Sequence, residues 1–528
     1  MTPYLFCMVL AIGHGSSEPT ATINQHFNAY WREHKITASQ PCTDHEFLRR
    51  VSLDLIGRIP TVAEMEAYLK DAPEQRRRLL IDRLLKHEES PRHWANVWND
   101  WLLDGGGPHD VQRAFHGWLE QQLAKQASLK DIAAQLITAT GTTADNPAVH
   151  FTIVHRGQAF PKKDWRDRGQ HDMLPLADRT ARVFAGKALA CVQCHDNPFD
   201  DEFRQEHLYN LAAFFRQVEI APGKAGTAVS DNREFNVKNI VDFERRNGVV
   251  LFTQPTYLDG KKIPRDFKGT RREALVQMVV ANPWFAKAHV NRMWTHFFGH
   301  SLSKHAAWDK AGDENPIVHP GLLDDLADAF VKSGYDSAAL ARWIVLSDPY
   351  ARSSIANKTN DTPDKLVAFS RMRSRHLTNE QLVESLLAAL GQTRDAAKRA
   401  KLRELWLFEL SRPRFDTPTE CEVVPLRYND TMLTYRMMWL TNSESFHEAL
   451  KDKDGTLATV NREHAKPSPV ALNALFRHTL GRPMIERERQ RLMQFAQPPG
   501  AKQPVNWHGY CDDVFWALLN SAEFGLNH

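Results

Sequence analysis

The stretch DHEFLRRVSLDLIGRIPTVAE, residues 44–64, sets the fold class. Phe47, Leu48, Val51 and Leu55 recur at helical spacing, so Asp44 to Ile56 predicts an amphipathic helix. Gly57 and Pro60 stop it. Thr61 and Glu64 then stand three apart, the spacing of a capping box in which hydroxyl and carboxylate each take a backbone N–H. The helix opened there carries Met65 and Leu69.

The same texture continues outward. Glu74 to Lys86 places Leu79, Leu80, Leu84 and Leu85 on one stripe with arginines opposite. Trp94, Trp98 and Trp101 follow at helical spacing and read as a core stripe. Gly105 to Pro108 ends that block, and Phe115 to Leu123 and Leu129 to Thr138 read as two more helices. Residues 144–175 are loop-like, and Leu176 to Ala190 is periodic again. From Ile220 to Lys268 Gly and Asn become frequent, and Val249 to Thr253 has strand character. Arg271 to Gly391 reads as helical, a polar stretch follows, and Pro467 to His528 reads as a closing helical pair. The expected architecture is mainly α: a helical domain over 22–219, a small β-containing connector over 220–270, and a second helical domain over 271–528.

Bulk composition excludes several classes. The chain has 528 residues, 42% apolar and 25% charged, which is ordinary for a globular protein. Lys plus Arg number 67 against 64 Asp plus Glu, so the net charge of +3 gives no pull toward nucleic acid. The 14 Trp, 27 Phe and 24 His suit a helical core and the walls of a flat cofactor equally. Tyr4 to Ile12 is too short to span a bilayer but fits the apolar region of a signal peptide, with Ala11 and Gly13 as a small-x-small cleavage pattern. Residues 1–13 are therefore read as a signal peptide. The mature chain is expected to carry no membrane span and to be exported, periplasmic or at the cell surface. Losing Cys7 with the signal leaves five cysteines, too odd a number for complete pairing among Cys42, Cys191, Cys194, Cys421 and Cys511.

The chemistry-bearing motif is Ala190-Cys191-Val192-Gln193-Cys194-His195-Asp196, a C-x-x-C-H string. Two thiols three residues apart can reach both vinyl groups of a porphyrin, and the next imidazole then lies under the iron. The expectation is one c-type haem held by Cys191, Cys194 and His195, with His195 as proximal iron ligand. Phe199, Phe214 and Phe215 are its candidate walls, and Met173, His171 and His207 are distal candidates. Three alternatives stay open: a redox dithiol; a disulfide or inert pair; and structural zinc with Asp196, Asp200 or His207 as fourth ligand. Asp196 reads as a helix-end carboxylate or as the group that orients His195. Asp313 to His319 gathers acids and a histidine, but a turn before a helix start accounts for it. No catalytic residue is legible, and no phosphate loop, nucleophile elbow or dinucleotide fingerprint is present.

Read together, these strings resemble a known family. Phe47 to Pro60, His93 to Trp98, and Cys191 to Asp200 resemble the planctomycete-type cytochrome-associated domain, whose signature is C-x-x-C-H-D-H-P-F-D. Val290 to Gly299, Asn315-Pro316, His319-Pro320 with Leu322 and Leu323, and Ser347 to Ser354 resemble its companion domain of unknown function. Ala474 to Pro483 and Trp516 to Phe524 resemble that companion's end. The resemblance implies an exported protein of planctomycetes and related bacteria. Two departures stand out: Asn197 replaces the family's second histidine, and the companion's acidic pair is replaced around Ala306 to Trp308, leaving Asp309 displaced. The expected role is redox or electron transfer, with an unknown electron-transfer partner or an exported polymer-processing system. The alternative is a non-enzymatic scaffold with zinc or a disulfide at the motif.

Overall fold

The computed structural model describes residues 19–157, 171–198, 203–234, 240–307, 309, 315–392, 396–410, 430–496 and 506–528. The expected signal peptide lies outside them. The fold is mainly α with small antiparallel sheets. The opening stretch forms its helix over Asp44–Ile56. Thr43 caps it by accepting the Glu46 N–H, and Gly57 closes it in left-handed backbone at φ 76°. A Cβ at residue 57 would sit 2.5 Å from His93 Nδ1, so both conformation and space demand glycine. The Thr61–Glu64 capping box forms in both directions and opens Val62–Lys70.

Several boundaries move. The leucine stripe becomes Arg76–Leu85, with Leu80, Ile81 and Leu84 facing inward. Trp94 and Trp98 are buried on Ser90–Leu103, as a core stripe requires. The loop-like region after residue 144 contains the short helix Val149–Val154. The polar stretch after Gly391 carries Ala396–Leu410 and Asp430–Asn442, because Trp406, Leu410, Trp439 and Leu440 find a core there. The closing pair is three helices, Pro469–Leu480, Glu486–Ala496 and Trp507–Leu519, with a short turn at Ala522–Gly525. Glu486–Ala496 buries only Ala496, so its apolar signal is weak in the sequence.

The connector contains strands, as read. Val218–Gly223 pairs with Gly226–Asp231, which also pairs with Gly141–Thr142, and Val241–Glu244 pairs with Val250–Thr253, all antiparallel. One apolar core runs from Ile23 to Met372 and crosses residue 271 without a break. A second gathers Leu377 to Phe524 around Leu53 and Ile59 of the opening stretch.

That stretch is also the molecule's buried polar hub. Asp54 is fully buried and accepts from Tyr350 Oη at 2.7 Å, from Arg375 Nη2 at 2.9 and 3.0 Å, and from Asn527 Nδ2 at 2.8 Å. Arg49 donates to the carbonyls of Thr479, Glu523 and Phe524, and Arg50 to those of Tyr350 and His528. Arg58 takes Glu64 in a bidentate pair and Glu89 at 2.5 Å. Charges this deep persist when they are paired or hydrogen-bonded, as these are through all but a few atoms such as Arg49 Nε and Arg375 Nε.

Candidate functional site

The helix leading to the motif is Leu174–Ala185, not Leu176 to Ala190. Gly186 ends it in left-handed backbone, with its N–H returned to the Arg182 carbonyl. The chain then folds back along its own helix. Asp178 Oδ1 accepts the N–H groups of Leu189 and Ala190 at 2.6 and 2.8 Å, which fixes where the motif starts. Ala190–Val192 is one 3-10 turn, so the cysteine pair follows a helix end by five residues instead of closing the helix itself.

Val192 is the motif's anchor, 1% exposed in the main core. The far side is pinned as well: the Gln193 carbonyl accepts from Gln205 Nε2 and Tyr209 Oη, each at 3.2 Å. Asp196 Oδ1 accepts the Gln205 N–H at 2.8 Å, so the carboxylate caps Gln205–Ala212 as a helix-end residue. Its carbonyl does orient the histidine, accepting from His195 Nδ1–H at 2.7 Å. In neutral imidazole that leaves Nε2 as a lone-pair donor. Cys191 and Cys194 are free thiols, and both are exposed with His195. The result is a rigid turn presenting two sulfurs and one imidazole to solvent.

The turn's base extends into the region of the companion resemblance. Arg182 binds Asp178 Oδ2 through Nε at 2.6 Å and Asp309 Oδ2 through Nη1 at 2.9 Å. Burial opposes the Arg182 charge, but the two carboxylates outweigh it and hold its pKa above the usual value. Asp309, displaced by sequence comparison with the companion domain, is thus a buried partner of the motif's helix. No sequence spacing signals a pair separated by 127 positions.

Other sequence candidates scatter. Met173 is 1% exposed within the main core, and His171 lies in the 3-10 turn His171–Met173. His207 sits on Gln205–Ala212 with Nδ1 accepting the Arg204 N–H at 3.1 Å. Phe199 and Asp200 lie outside the described residues. Phe214 and Phe215 have no exposed surface and serve the main core, so they wall no open pocket. Cys42 and Cys511 are free and buried in different cores, so they form no bridge with each other; Cys421 lies outside the described residues. Among the described residues no three His, Cys, Asp or Glu side chains converge as a metal site. No described helix is long and apolar enough to cross a membrane. His319 immediately precedes the helix Pro320–Lys332 without a side-chain cap bond, its Nε2 bonding the Val367 carbonyl instead, in line with the turn reading of Asp313 to His319, of which 313 and 314 lie outside the described residues.

Fold and site define a mainly helical protein that displays a thiol–thiol–imidazole turn on a pinned loop. Residues 22–220 match the family model described as PSCyt2, a protein of unknown function (DUF1549), and residues 271–405 match PSD1, a protein of unknown function (DUF1553). The chain therefore carries these two domains in that order, which fits the planctomycete-type arrangement. No curated protein and no solved structure matches it.

Proposed function

We propose that the chain is an exported c-type haem protein with a redox or electron-transfer role, its haem attached at Cys191 and Cys194 with His195 as proximal ligand. The observation that carries this reading is the state of the turn: two reachable free thiols at the required spacing, followed by an imidazole whose Nδ1 proton is held by a backbone carbonyl. Donation from the second ring nitrogen is how iron- and zinc-bound histidines are oriented and made more basic. A haem bound there would supply one-electron chemistry.

The chain's own residues do the positioning. Asp178 holds the backbone of Leu189 and Ala190 just before the first cysteine, the buried Val192 side chain with Gln205 and Tyr209 holds the stretch between the cysteines, and the Asp196 carbonyl aims the imidazole. Exposure of the sulfurs suits attachment by an external enzyme. Structural zinc wants four convergent ligands, and no such set forms among the described residues.

Expression with haem-attachment machinery should give a red protein with a c-type pyridine haemochrome spectrum, and Cys191→Ala should abolish covalent attachment. A colourless mature chain whose mass lacks the macrocycle would end the haem reading. Stoichiometric zinc in that colourless chain would favour the scaffold alternative.

A further inference from the structure

The hairpin of Val241–Glu244 and Val250–Thr253 forms a two-stranded sheet of its own. The Arg245 carbonyl accepts the Gly248 N–H at 2.8 Å, and the Arg245 N–H donates to the Val249 carbonyl at 2.9 Å, with Gly248 in left-handed backbone at φ 83°. That closure sets the ladder by alternation. Phe243 with Leu251, and Val241 with Thr253, face each other as the hydrogen-bonded pairs, so the N–H and C=O groups of Val250 and Phe252 point away from the ribbon. On the opposite edge the outward Glu244 carbonyl is taken by Gln205 Nε2 at 3.0 Å. Among the described residues no strand covers the Val250–Thr253 edge.

Side chains alternate in the same way. Val241 and Phe243 are buried, and the Tyr209 ring stacks on Phe243 with centroids 4.7 Å apart. Val250 and Phe252 lie on the outward face, 41% and 74% exposed. Soluble proteins guard a free edge with lysine, other charges or proline, and Val249 to Thr253 contains none of these. Such an edge is a template for another strand. The outward face also carries Glu244 opposite Val250 and Asp242 opposite Phe252, acids that turn an anionic lipid surface away.

We propose that this edge pairs with the same edge of a second copy of the chain, about a two-fold axis at Leu251. In that register Val250 of each copy lies opposite Phe252 of the other, and the two residues exchange both of their outward hydrogen bonds. An aromatic ring opposite a β-branched side chain is a favourable cross-strand pair. The strand is therefore its own complement: uncharged meets uncharged, with Asp242 and Glu244 of each copy one strand removed. An apolar centre inside a polar rim is the usual layout of a protein interface. The contact is short, so the association is reversible. Gln205 Nε2 donates to the Gln193 carbonyl at 3.2 Å as well, so each hairpin is tied to its own motif turn and the pairing carries both turns on one sheet. The surface does not depend on the haem reading.

Sedimentation of the full chain under reducing conditions, over about 1–100 µM, tests it. The unmodified chain should pass from monomer to dimer across that range. Hydrogen exchange at Val250 and Phe252 should slow in parallel, while Leu251, already bonded inside the hairpin, should not change. Phe252→Lys, which sets a charge opposite Val250, should raise the dimer dissociation constant about tenfold or more. Val250→Pro removes an outward N–H and no bond of the hairpin, so it should weaken dimerisation likewise and leave the melting temperature nearly unchanged. Cys191→Ala should dimerise as before, which separates the pairing from haem attachment. A chain that stays monomeric up to about 100 µM overturns the proposal and leaves the edge to an extended segment of another protein. A dimer that persists unweakened in either edge variant overturns it too.

Discussion

Asp54 has no solvent contact, yet it holds Arg375, Tyr350 and Asn527 from three distant parts of the chain. Removing one member of such a buried pair leaves the other charged and unsolvated, at a cost of about 3–5 kcal/mol. Asp54→Ala should lower stability by that amount in urea denaturation, and a loss under 1 kcal/mol would show the hub to be dispensable. His93 belongs to the same neighbourhood, donating from Nε2 to the Asp54 carbonyl at 3.0 Å while 5% exposed. Burial lowers its pKa to about 4. The unfolded chain, titrating near 6.5, binds the proton first as pH falls. This histidine's contribution is therefore complete above about pH 6.5 and declines from there toward pH 4, by about 3 kcal/mol in all. His319, also at about 4 through burial, acts in the same sense. Melting temperature should fall on acidification from pH 7.5 to pH 5; a flat profile would contradict the buried neutral state of both rings.

At the scale of elements, helix existence was legible and helix ends were less so. Asp44–Ile56 and the Thr61 capping box were readable because every signal is local: apolar spacing, a hydroxyl before the first turn, glycine after the last. The helix before the motif was read five residues too long, since Ala188, Leu189 and Ala190 continue an apolar pattern past Gly186. The backbone turns there because glycine takes φ 65° and because Asp178, one turn inside the helix, offers its carboxylate to two amides. Asp178→Ala should leave those amides without an acceptor. Hydrogen exchange at Leu189 and Ala190 should then accelerate by about tenfold, with little change on Asp44–Ile56. Gly57→Ala tests the other helix end. Left-handed backbone costs a non-glycine residue about 1 kcal/mol, and the contact with His93 adds to it, so a measurable drop in melting temperature is expected.

Over the whole molecule, the residues from Thr479 onward are stitched back to the opening helix and to residues 375–376. Leu526–Asn527 pairs with Arg375–His376, while Arg49 and Arg50 donate to carbonyls from Thr479 to His528. Burial lowers the Arg49 pKa to about 10, so its charge is retained at neutral pH and depends on those carbonyls. Deleting residues 526–528 removes the strand pair, one Asp54 donor and the Arg50–His528 bond. It should cost several kcal/mol in denaturant unfolding. Sequence alone determined the helical class, the strand at Val250–Thr253, the cap chemistry and the thiol–imidazole string, because each is written in residues a few positions apart. Only the tertiary structure decided that Arg49, Arg50, Asp54 and Arg58 are buried partners and not a solvated charged face, and that Asp309 braces the motif's helix. Those facts depend on which distant groups supply the missing hydrogen bonds, and spacing along a chain carries no record of that.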